Sequence, residues 1–62
     1  MGYKFEYALF SPSANGYYTG EAGDGWVGSA PYTYTEEGAY RKASIFNQGA
    51  FSIRDWSVVR YL

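Results

Sequence analysis

Sixty-two residues make one small domain (1–62), with eight tyrosines, four phenylalanines and two tryptophans but no histidine and no cysteine. Domains of this size bury only about 60% of the surface their unfolded chain exposes, and neither a disulfide nor a cysteine/histidine zinc site can supplement the core, leaving ring-rich packing or a homodimer as the means of support. Five basic and six acidic residues give a net charge of -1, which disfavours a partner held by its phosphate backbone.

Near the N-terminus Tyr3, Phe5, Tyr7 and Leu9 alternate with Lys4, Glu6 and Ala8, which predicts a strand over residues 3–10 with its rings on one core-facing side. That alternation is unlike the continuous apolar run of a signal peptide. No stretch approaches the roughly 20 apolar residues of a membrane span, so the chain reads as soluble and cytoplasmic, with no membrane partner. Ser11-Pro12-Ser13-Ala14-Asn15-Gly16 follows; proline cannot donate to a ladder and Asn-Gly favours positive φ, so the chain reverses and Tyr17-Tyr18-Thr19 returns as the second strand of a hairpin.

Residues 20–28 hold four glycines around Glu21, Asp24 and Trp26, a loop with a brief third strand at Trp26-Val27. Pro31 and the alternating Tyr32-Thr33-Tyr34-Thr35 lead into a helix whose start has two readings: Thr35 caps it directly, or Thr33 forms a capping box with Glu36. Glu36 and Glu37 in the first turn suit the helix dipole, and Glu37 pairs with Arg41 at i,i+4. Ala39, Ala43 and Phe46 form the stripe facing the sheet, with Tyr40 and Ile45 at its margins. Gly38 costs about 1 kcal/mol against alanine, which close approach of another backbone would explain. The helix runs to about Asn47, and Asn47-Gln48-Gly49 supplies a positive-φ stop. Residues 51–62 are rich in strand formers; Trp56, Val58, Val59 and Tyr61 put apolar groups on both faces, and period alone does not fix the face Trp56 takes. These elements predict an α+β domain: an antiparallel sheet of about three to four strands, the N-terminal hairpin plus a C-terminal strand, with one helix packed on it.

Catalytic chemistry is poorly supplied. Gly23-Asp24-Gly25-Trp26-Val27-Gly28 matches G-x-G-x-x-G, but no helix opens directly after it and the chain is too short for a dinucleotide-binding fold, so a glycine-rich surface loop is the better reading. Glu21 and Asp24 are a thin basis for a hard cation that takes about six to eight oxygens. No serine has a histidine partner, and the usual group titrating near neutral pH is missing. Neither enzyme activity, cofactor nor metal is expected.

The ring excess divides. Tyr3, Phe5, Tyr7, Phe46 and Trp56 are assigned to the core, while Tyr17, Tyr18, Trp26, Tyr32 and Tyr34 are left over around the glycine loop and the hairpin return. Exposed tyrosine, tryptophan and arginine are the material of interface hot spots, so Tyr18, Trp26, Tyr32, Tyr34 and Arg41 are the candidate binding residues of a non-enzymatic protein-binding module. Arg41 and Lys42, consecutive in the chain, are expected to share the outer helix face. Two other classes remain: nucleic-acid binding, including a DNA-mimic surface of Glu6, Glu21, Asp24, Glu36, Glu37 and Asp55; and a small-ligand-binding domain, which the short chain and missing histidine disfavour.

Tyr17-Tyr18-Thr19-Gly20, Gly25-Trp26-Val27, Tyr34-Thr35, Glu37-Gly38-Ala39 with Arg41-Lys42-Ala43 and Phe46-Asn47, and a terminal Trp56-Ser57-Val58-Val59 together resemble a type of small bacterial and prophage-associated protein. The resemblance implies a compact hairpin, helix and final strand, and carries no catalytic residues across. By analogy it implies a phage or mobile-element accessory protein inhibiting a host defence complex in the bacterial cytoplasm.

Overall fold

The computed structural model describes residues 4–20, 27–50 and 52–62. Strands β1 (Tyr7–Ser11), β2 (Gly16–Tyr18), β3 (Val27–Gly28) and β4 (Ser57–Arg60) form one antiparallel sheet in the order β3-β2-β1-β4, and helix α1 (Glu36–Ile45) packs on one face. This is the predicted α+β arrangement, in two layers.

The alternation in β1 sorts its residues as predicted from Tyr7 onward. Leu9 lies opposite Val58 of β4, and both join the helix-side core with Ala39, Ala43, Phe46 and Trp56. Tyr7, Tyr18, Val27, Tyr34 and Ile53 pack around them half-buried. Phe5 is 58% exposed and does not belong to the core: it precedes the first residue of the ladder, so no sheet face exists there for it to cover. Tyr3 and Trp26 lie outside the described residues, as do Glu21 and Asp24. Trp56 takes the helix side, in register with Leu9 and Val58, and its ring meets Phe46 and Tyr18 edge-on at 6.2 and 5.9 Å.

On the opposite face no helix lies over the strands among the described residues. There Tyr17 leans edge-on against Phe10 at 5.1 Å and Tyr61 at 5.5 Å, and Ala8, on the same side of the sheet, is fully buried.

Local signals set the turns and caps. Asn15 adopts φ 57, and its N–H donates to the Pro12 carbonyl at 3.2 Å, closing the hairpin loop. The Asp55 carboxylate then pins that loop to the approach of β4, accepting from Ser11 Oγ at 2.6 Å, Ser13 N at 2.8 Å and Ser13 Oγ at 3.0 Å. The Ser11 hydroxyl, followed by the Ser13 amide, holds the Asp55 carboxyl below its ordinary range, because each donor favours the charged form.

Thr35 is the N-cap, with extended backbone and its Oγ1 accepting from Gly38 N at 3.1 Å, which decides between the two predicted starts. A Cβ at Gly38 would meet that same Oγ1 at 3.0 Å and no foreign backbone, so this glycine leaves room for the cap. Glu37 and Arg41 form the expected pair at 3.2 Å. Past Ile45 the helix widens into a π-type turn over Phe46–Ala50, and Gly49 at φ 117 provides the predicted stop. Asn47 within this turn clips the sheet to the helix: its Oδ1 accepts from Trp56 N at 2.8 Å and its Nδ2 donates to Trp56 O at 3.0 Å. No helix among the described residues is long and apolar enough to cross a membrane.

Candidate functional site

The hairpin register pairs Phe10 with Tyr17 and Ser11 with Gly16. Continued without interruption, it would set Tyr7 opposite Gly20. Tyr7 instead exchanges both backbone hydrogen bonds with Tyr34, at 3.0 and 2.7 Å, and the carbonyl of Tyr18 accepts from Tyr32 N at 2.9 Å. Residues 32–34 therefore wedge between the open ends of β1 and β2. Their Thr/Tyr alternation suits extended pairing, and Gly20, at φ 85, turns β2 aside to admit them. The fit is close: a Cβ on Gly20 would lie 2.3 Å from Tyr32 Cδ2.

The wedge brings three tyrosines together. The rings of Tyr32 and Tyr34 are 5.1 Å apart, and with Tyr18, Gly20 and Lys42 they line an open cleft of about 220 Å³. Tyr32 is 53% exposed, whereas Tyr18 is half-buried, its ring standing edge-on to Phe46 at 4.9 Å. Burial pushes the Tyr34 phenol up to about 12, and the neighbouring phenols of Tyr18 and Tyr32 add to the rise. Tyr34 accordingly stays protonated at neutral pH and can donate a hydrogen bond, and its two neighbours oppose a phenolate beside them.

Three of the five sequence candidates, Tyr18, Tyr32 and Tyr34, meet in this cleft. Arg41 does not line it; its guanidinium is engaged by Glu37. Lys42 takes the place expected of Arg41, because consecutive helical residues diverge by about 100° and do not share a face. The signal for Lys42 was present in its spacing: it stands three residues after Ala39 and four before Phe46, both buried, which puts it on the border of the apolar stripe. Gly20 was likewise missed, since only the non-local approach of Tyr32 reveals its use.

The cleft combines aromatic faces, phenolic hydrogen-bond donors and one ammonium group, a set suited to holding a ligand. Among the described residues no group of three or more histidine, cysteine or carboxylate side chains is placed to hold a metal ion. Of the acidic residues weighed for a DNA-like surface, Glu6 pairs with Arg60 at 3.2 Å, Glu37 with Arg41, and Asp55 binds the hairpin loop. No protein-family model, curated protein or solved structure matches this chain.

Proposed function

We propose that this chain is a non-enzymatic protein-binding module that docks a partner in the tyrosine cleft. On the resemblance set out above, that partner is a host complex acted on by a mobile-element accessory protein. The observation that carries the docking reading is the exposed Tyr32 ring, fixed by its backbone bond to Tyr18 and seated over Gly20, beside Tyr34. A large ring already held in place loses little freedom on binding, which is what makes such residues effective contact points. The cleft, at about 220 Å³, is smaller than the roughly 300–1,000 Å³ of small-molecule sites and fits a partner's side chain. One lysine gives it too little positive charge to track a nucleic-acid backbone.

Photo-crosslinking tests the reading. A benzoylphenylalanine replacing Tyr32 should trap a discrete protein in host lysate, and excess wild-type chain should compete where Tyr32→Ala chain does not. The same group replacing Tyr40, an exposed ring on the helix that does not line the cleft, should trap far less. Equal trapping from both positions, or equal competition by both chains, refutes the proposal.

A further inference from the structure

We infer that the partner group entering the cleft is an acidic side chain, its carboxylate held by the Lys42 ammonium and the phenols of Tyr32 and Tyr34. The inference rests on the docking reading above and adds the chemistry of the occupant. Lys42 differs from Arg41 and Arg60: each arginine has its own carboxylate at 3.2 Å, while among the described residues Lys42 makes no ion pair and no acidic group lines the cleft it faces.

Size and charge select a carboxylate over larger anions. The space, about 220 Å³, takes one side chain, and a carboxylate there makes charge-assisted hydrogen bonds to the ammonium, which are stronger than neutral ones. A phosphate backbone would need several cations in a row. Here the first turn of the same helix carries Glu36 and Glu37, which repel an extended polyanion but leave room for a single carboxylate at Lys42.

The test uses the full chain, isotopically labelled, and two pools of end-capped pentapeptides. One pool carries glutamate at the centre and the other glutamine, with the flanking positions randomised among uncharged residues; amidated C-termini keep the terminal carboxylate from responding. The glutamate pool should shift the ring signals of Tyr32 and Tyr34 and the side-chain signals of Lys42, with at least about tenfold tighter binding than the glutamine pool, the factor set by one charge-assisted bond. Lys42→Gln, with the remaining amide spectrum unchanged, should reduce the difference to within about twofold, and Lys42→Arg should retain most of it.

Equal binding of the two pools in the cleft overturns the carboxylate inference while leaving the docking reading intact. No response from either pool also overturns it, and crosslinking then decides the docking reading separately. Cleft shifts produced by an oligothymidylate, weakening steeply with salt, would overturn both in favour of a nucleic-acid partner.

Discussion

Tyr18 and Tyr32 line the same cleft, yet the structure gives them opposite weights in folding. Tyr18→Ala removes a half-buried ring that meets Phe46 and Trp56 edge-on at 4.9 and 5.9 Å. Each such contact contributes about 0.5–1.5 kcal/mol beyond area burial. Fully buried aromatic-to-alanine changes cost about 3–5 kcal/mol, so a half-buried ring with these contacts should cost about 2.5–4 kcal/mol. At about 0.05–0.15 kcal/mol per residue, a chain of this length has only about 3–9 kcal/mol in total, and Tyr18→Ala therefore consumes a large part of it. Tyr32→Ala, at a 53% exposed ring, should cost no more than about 1 kcal/mol. Tyr18→Phe, which keeps the ring, should also stay within about 1.5 kcal/mol. Urea unfolding followed by tryptophan fluorescence is the suitable assay, because Trp56 lies against Tyr18 and the many rings distort far-ultraviolet dichroism. Equal costs for the two alanine variants, or a Tyr18→Ala cost below about 1 kcal/mol, would refute the assignment of Tyr18 to the core.

Three further perturbations address the contacts that shape the fold around the cleft. The Asp55 carboxyl is held below its ordinary value of 3.8, so the stability it contributes is present above that value and is lost as pH falls through the depressed one. The melting temperature of the wild type should then fall more than that of Asp55→Asn between about pH 6 and pH 2.5, and parallel profiles would contradict the clamp. Asn47→Ala leaves the N–H and C=O of Trp56 without their side-chain partners and should cost about 2–3 kcal/mol in urea; Asn47→Asp should not restore it, because the donor to the carbonyl stays missing. Gly20→Ala combines φ 85 with a Cβ 2.3 Å from the Tyr32 ring; it should cost about 1–3 kcal/mol and abolish nuclear Overhauser contacts between Tyr32 and Tyr34, whose persistence would show that the wedge can shift to accept a side chain.

What could be read from the sequence was local. Alternation placed β1, Asn15 marked the turn, Thr35 was one of two cap candidates, and the spacing of Ala39, Ala43 and Phe46 named the buried helix stripe, all because period and cap chemistry act within a few residues. Alternation also overreached: it continued to Phe5, where no ladder exists to give the pattern a face. The cleft was legible only as a list of spare rings. Its assembly depends on Tyr7 bonding Tyr34 across 27 positions rather than continuing toward Gly20, and no local pattern specifies which strand an extended segment will join. The face chosen by Trp56 was hidden for the same reason, since both faces of its segment are apolar and the register with β1 decides between them.

The two aromatic surfaces of the sheet call for different explanations, and the difference lies in what each ring covers. Phe10, Tyr17 and Tyr61 stand on the side opposite α1, where Ala8 is fully buried; there rings perform the work a second layer does in a larger domain. The cleft rings are divided between two tasks. Tyr18 and Tyr34 pack against the core, while Tyr32 projects beside them with its ring over Gly20, next to Lys42. The proposed docking surface is made largely from core-packed rings and so is ordered beforehand; binding there should require little ordering and should stabilise the fold by mass action. On the proposed docking reading the same construction makes mutation asymmetric: changes at Tyr32 and Lys42 should alter recognition with the fold intact, whereas changes at Tyr18 should act on both at once, because Tyr18 lines the cleft and packs against the core.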